Sequence, residues 1–166
     1  MQVIVAPQTW VRDNKVSIFL GGVIDQGKAT PWGDYVASRF KDYNIVFLNP
    51  LRPVWDASMK QSIDNPEFVE QVEWELKCQY SADIRIYVFG INEEQATKAV
   101  APITLLELGL FSDDETYVCC PKTYWRKGNV DITCKFMGVP VFEEIESLID
   151  HLKERIEFIG NTRRTS

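Results

Sequence analysis

The chain has 166 residues, 45% hydrophobic and 25% charged, with a formal net charge of −6; this balance suits one domain over residues 1–166 and excludes a disordered chain or a disulfide-stapled miniprotein. The acidic charge argues against polymeric nucleic acid or an anionic membrane as partner, since both call for a basic face. No apolar run approaches the ~20 residues that span a bilayer, MQVIVAPQTW has no marks of a secretory leader, and Cys78, Cys119, Cys120 and Cys134 lack metal-finger spacing, so a cytoplasmic domain with no metal or cofactor is expected.

In chain order, residues 3–6 (VIVA) are long enough only for an edge strand before Pro7. Val16 to Leu20 reads as the first buried strand and runs into Gly21-Gly22, where missing side chains let a ligand approach the backbone. Pro31 then suits the first turn of a helix marked by Trp32, Tyr35, Val36 and Phe40. Asn44 to Leu48 is a second strand. The Pro-rich loop after it, Asn49 to Asp56, carries Arg52, Trp55 and Asp56, the kind of stiff exposed segment on which binding residues sit. Asn65-Pro66 opens a helix to about Ser81, with Phe68, Val69, Val72, Leu76 and Tyr80 as its apolar stripe and Glu75 on the border.

Ile84 to Phe89 is the third strand, and Gly90 to Ala101 reads as a polar loop and candidate lid before a helix over Pro102 to Phe111. Tyr117 to Cys120 is the fourth strand, its adjacent cysteines being small buried hydrophobes. A basic, aromatic loop, KTYWRKGNVD, leads to a helix from Val130 to Met137 that Gly138 ends. Val139 to Phe142 is a fifth strand, Glu143 to Ile159 an amphipathic helix with His151 on its surface, and Asn161 to Ser166 a frayed tail. About five mainly parallel strands alternating with helices point to a flavodoxin-like doubly wound α/β sheet, helices on both faces. In that architecture ligands bind beyond the carboxyl ends of the strands, where Gly21-Gly22 and the loops at 49–56, 90–101 and 121–129 converge.

The segment PITLLELGLF sets one carboxylate, Glu107, in the most apolar helix of the chain. Ile103 and Thr104 lie one turn before it and Leu110 and Phe111 one turn after, so Glu107 is expected to look inward. Burial costs an ionised carboxylate several kcal/mol and raises its pKa, so such a residue either serves chemistry or snorkels out from a helix edge. GGVIDQGK has neither the GxGxxG nor the GxxxxGK[ST] spacing, which removes dinucleotide and P-loop readings. With one histidine, His151, set in a polar carboxy-terminal helix, metal catalysis and Ser-His chemistry both lack their usual parts. The pair Glu75 and Glu107 remains, and two carboxylates in different environments are the equipment of glycosyl transfer.

SIFLGG (Ser17 to Gly22), FLNPLR (Phe47 to Arg52), QVEWEL followed by SAD (Gln71 to Asp83), LLELG (Leu105 to Gly109) and RKGNVD (Arg126 to Asp131), in that order, resemble the nucleoside 2-deoxyribosyltransferase superfamily, in particular its divergent deoxyribosyltransferase-like branch. The resemblance implies an oligomeric flavodoxin-like protein that cleaves N-glycosidic bonds of nucleosides or nucleotides. It makes Glu107 the nucleophile and Glu75, eight residues before Asp83, the carboxylate that binds substrate and helps the base depart, with Asp83 structural. It also implies close approach of substrate to Gly21 and Gly22, with Asn129 reaching a neighbouring subunit's site. The Asn49 to Asp56 loop is richer than in the classical enzymes, and Asn49, Arg52, Trp55 and Asp56 are read from their chemistry as substrate contacts that would bond and stack on the base. Phe19, counted with the glycines as a substrate-binding residue, replaces the tyrosine with which other members orient the nucleophile, and Ala101 replaces an Asp or Ser. Lys122, Arg126 and Lys127 would suit a phosphate or a solvated basic loop. Three functions follow as expectations: nucleoside glycosyl transfer, nucleoside 5′-monophosphate N-glycosidase activity, and nucleotide binding without turnover.

Overall fold

Short runs of β-branched and aromatic residues bounded by Gly, Pro, Asn or Asp become strands in the computed structural model, which describes residues 1–23, 32–52 and 59–165. Among these residues β1 (Gln2–Val5), β2 (Val16–Gly22), β3 (Ile45–Asn49), β4 (Ile84–Val88), β5 (Thr116–Cys119) and β6 (Val141–Phe142) form one sheet in the order β1-β3-β2-β4-β5-β6. Every adjacent pair is parallel. The five strands from β3 to β6 have the flavodoxin-like order, and β1 adds a sixth at the edge, Gln2 to Val5 opposite Val46 to Asn49.

Parallel strands need crossovers, and helices supply them: α1 (Trp32–Ser38), α2 (Pro66–Ser81), α3 (Glu93–Lys98), α4 (Pro102–Phe111), α5 (Lys127–Met137) and α6 (Ile145–Thr165). The side-chain alternation of the strands separates two faces. Ile18, Leu20, Ile84, Ile86 and Cys119 pack with residues of α1 and α6 on one face. On the other, Phe19, Val46 and Leu48 pack against Cys78 of α2, while Tyr87, Val118 and Cys120 pack with Leu108 of α4 and with Val130 and Cys134 of α5. The chain turns to opposite sides of β2 on reaching β3 and then β4, so the topological switch point lies between β2 and β4, and α4 lies against these same two strands.

Three expectations are corrected. The stretch taken as a lid contains α3, capped by Asn92, whose side chain accepts from the Gln95 N–H at 2.9 Å, and anchored by the fully buried Ala96. Gly90 makes the entry possible at φ +147°, where an added Cβ would come within 2.7 Å of the Ala96 nitrogen. At the carboxy terminus α6 continues through Asn161 to Thr165, because Arg163 donates to the Lys15 carbonyl at 3.0 Å and pairs with Asp83. His151 is half-buried, its ring 4.8 Å from that of Tyr117 and 5.3 Å from that of Phe142. The four cysteines are free and buried, and burial pushes the Cys119 and Cys120 thiols up to about 12, which leaves them protonated and inert.

Candidate active site

The site grows from the residues of β4 that face α2 and α4. Tyr87 pairs across the ladder with Gly21, and a Cβ there would lie 2.5 Å from the Tyr87 ring; the absent side chain is what lets the phenol lie across β2. The Tyr87 hydroxyl donates to Gln79 Oε1 at 2.6 Å, and Gln79 Nε2 donates to Glu107 Oε1 at 2.7 Å. Two residues earlier, Arg85 donates to the carbonyls of Gln79 (2.9 Å) and Ala82 (3.2 Å) and pairs with Asp113 beyond α4. One strand thereby fixes the end of α2 and the segment that follows α4, and with them the relation of the two helices.

Gln71, Glu75 and Gln79 follow one another at i, i+4 and i+8, a single stripe of α2. Gln71 Nε2 donates to Glu75 Oε1 at 2.7 Å and to the Pro50 carbonyl at 2.8 Å, and its Oε1 accepts from Arg52 Nε. Each carboxylate is thus met by an amide whose own orientation is fixed from behind, by Arg52 for Gln71 and by Tyr87 for Gln79. On α4 the inward residues are Thr104, Glu107 and Leu108, and only 8% of Glu107 is exposed.

Burial raises the Glu107 carboxyl to about 7, the charge of Glu75 adds to the rise, and the Gln79 amide opposes it. Burial also raises Glu75, against the Gln71 hydrogen bond and the Arg52 charge. The two carboxyl groups lie within electrostatic reach of each other, and the negative charge of Glu75 is one of the causes that raise Glu107. One ionised and one protonated carboxyl is the combination that nucleophilic displacement with acid assistance needs. Among the described residues no donor reaches the second Glu107 oxygen, Oε2, which leaves its lone pairs for a ligand.

The other expected site residues fall out unevenly. Phe19 is completely buried beneath α2 with Cys78 and Ala82, so its assignment to substrate is corrected: no part of the ring is open to a ligand. Gly21 and Gly22 make room for rings, and a Cβ on Gly22 would lie 2.6 Å from the Trp32 indole. Asn49 turns its Oδ1 to the Leu51 N–H at 3.0 Å, closing the turn that leads to Arg52. Arg52 serves Gln71 and reaches Glu70 at 3.3 Å. Trp55, Asp56 and Pro31 lie outside the described residues. Asn129 is exposed on the first turn of α5.

Both lysines of the basic loop are paired with acids. Lys127 bonds both oxygens of Asp131 at 2.6 and 2.8 Å, Lys122 pairs with Glu143 at 3.3 Å, and Arg126 stacks on Trp125 at 4.1 Å. Sequence reasoning missed Gln71, Gln79 and Tyr87. The Q-x3-E-x3-Q spacing around Glu75 was the available signal, since it sets three polar side chains on one helical face.

A family model described as nucleoside 2-deoxyribosyltransferase like matches residues 15–124, a span that holds Arg52, Gln71, Glu75, Gln79, Tyr87 and Glu107. Among curated proteins none matches the chain.

Proposed function

The chain belongs to the nucleoside 2-deoxyribosyltransferase-like family, and from that premise we propose that it cleaves the N-glycosidic bond of nucleosides and passes the (deoxy)ribosyl group to another base or to water. The observation that carries this reading is Glu107: buried, held at one oxygen by Gln79, and within the field of a second carboxyl, Glu75. Glu107 Oε2 attacks C1′ through an oxocarbenium-like state, and the C1′–N bond breaks with its electron pair going to the base. For that attack the proton shared by the pair has to lie on Glu75, which gives it to the departing base. An incoming base or water then attacks C1′, loses a proton to Glu75, and releases Glu107 as the carboxylate.

The test is chromatography of base release and base exchange over nucleosides, 2′-deoxynucleosides and their 5′-monophosphates. Because Lys122 and Lys127 are paired with acids, nucleosides are expected to outperform monophosphates. A marked preference for monophosphates would favour the nucleotide N-glycosidase, and calorimetric binding without turnover would favour the non-catalytic module. Since Glu107 attacks as its anion and burial holds it near 7, turnover is expected to fall as pH drops below about 7.

We assign the oligomeric partner to the outer face of the same two helices. Ile103, Leu106 and Leu110 of α4, and Leu76 and Tyr80 of α2, are exposed, Tyr80 by 83%. A run of apolar side chains on helices that carry the site suits a second copy of the chain. Sedimentation is expected to show an oligomer that Leu106→Arg dissociates without loss of helical circular dichroism; a monomeric wild-type protein would exclude the assignment.

A further inference from the structure

Phe19 gives β2 no hydroxyl to offer Glu107 of α4, yet Glu107 is not left unsupported. The support comes from β4 and α2: Tyr87 hydroxyl to Gln79 Oε1 at 2.6 Å, Gln79 Nε2 to Glu107 Oε1 at 2.7 Å, with Tyr87 and Gln79 both fully buried. We propose that Tyr87 and Gln79 form a two-residue relay that positions Glu107, fixing Oε1 and leaving Oε2 as the attacking oxygen. The inference rests on the glycosyl-transfer reading for its catalytic meaning, and on geometry alone for the positioning.

Each link has one sensible direction. A phenol carries a single proton, and the Gln79 carbonyl is its nearer acceptor, the Glu107 backbone carbonyl lying at 3.4 Å. Once the phenol claims Oε1, the amide can turn only its N–H toward the carboxylate. Both side chains lie in a closed interior, where an amide without its phenol would be free to invert and present its oxygen to Glu107, a repulsive arrangement. The Arg85 guanidinium holds the Gln79 carbonyl at 2.9 Å, so the amide starts from an anchored backbone. Gly21 completes the device, because any larger residue there would occupy the space of the Tyr87 ring. The groups that act on Glu107 are then Gln79 and Glu75 from α2 and Tyr87 from β4, with the Arg85–Asp113 pair behind them.

Because the amide donates to the ionised carboxyl, it favours the anion, and removing it moves the Glu107 titration upward. The experiment follows that titration directly, by carbon NMR of glutamate side-chain carboxyls in the whole protein, with the Glu107 signal assigned by its loss in Glu107→Gln. Gln79→Leu is expected to raise the Glu107 midpoint by about one pH unit, the worth of one hydrogen bond to a charged group. Tyr87→Phe is expected to raise it by a smaller amount. Val130→Ala, a cavity in the buried cluster that also holds Tyr87 and Leu108, serves as the control for general loosening and should leave the midpoint in place. In turnover, Gln79→Leu and Tyr87→Phe should lower kcat about tenfold with little change in KM, and should move the acid limb of the pH profile upward by the same step. An unmoved midpoint in either variant would overturn the two-residue relay, even where turnover falls. If no nucleoside is turned over, the glycosyl-transfer reading fails while the NMR midpoint still decides the positioning.

Discussion

Glu107→Gln is expected to lower base release and exchange by about 10³-fold or more, and to make the protein more stable at pH 8 in the same stroke. The kinetic half follows from covalent chemistry: an amide oxygen is a poor nucleophile, and losing the attack costs about 4 kcal/mol of transition-state stabilisation or more. The stability half follows from burial. The Glu107 carboxyl is raised from 4.5 to about 7 by burial and by Glu75, so the folded state binds its proton more tightly than the unfolded chain does. Stability therefore falls as pH rises from about 4.5 to about 7, and the whole cost is present at pH 8. A neutral side chain of the same shape, still able to accept from Gln79, removes a cost of about 2–3 kcal/mol at pH 8. For a chain of this size that raises Tm by roughly 5 °C, and at pH 5 most of the gain disappears. Calorimetry at the two pH values, beside a base-release assay, reads both halves. Turnover like that of the wild type would remove Glu107 as nucleophile. Equal Tm gains at the two pH values would show that the stabilisation does not come from titration.

That trade between stability and chemistry also explains which parts of the molecule could be read from its residues. Strands such as Ile84–Val88 and the capped start of α2 at Asn65-Pro66 obey the ordinary rules, and so the sheet order and most helix ends follow from pattern alone. Patterning assumes, however, that the inward face of a helix is the apolar one. On α2 the inward stripe is Gln71, Glu75 and Gln79, while Leu76 and Tyr80, the expected core residues, face outward. On α4 Glu107 does look inward, but with Thr104 and Leu108 rather than with Ile103 and Leu110, which lie on a different side of the helix. Both inversions occur where the two helices meet over the switch point, the place where a polar interior has a use. Gly21 fits the same account. A missing side chain is visible in sequence, but whether it admits a ligand or a neighbour's ring depends on Tyr87, sixty-six residues along the chain. The helix α3 escaped for another reason, being a six-residue polar turn too short to show a period.

Asp83→Ala is expected to be the most destabilising single change, by about 3–5 kcal/mol. Asp83 sits in the two-residue turn between α2 and β4, after Ala82, with its side chain only 6% exposed. One oxygen accepts from the N–H and the hydroxyl of Ser17, both at 2.8 Å, and the other receives Arg12 and Arg163. Four parts of the chain are joined there: the loop before β2, β2 itself, the α2–β4 junction and the end of α6. Removing the carboxylate leaves the Ser17 groups without their acceptor and sets two guanidinium groups side by side. Arg12 is half exposed, so Arg12→Ala removes one ordinary pair and is expected to cost no more than about 1 kcal/mol. Urea unfolding of the two variants compares these sizes directly, and equal losses would mean that Asp83 is one surface pair among many. Turnover separates the clamp from the site. Measured well below its Tm, Asp83→Ala should keep kcat within about threefold of wild type, because Gln79, one turn before it, is still held through its carbonyl by Arg85. A loss as large as that of Glu107→Gln would instead place Asp83 in the chemistry.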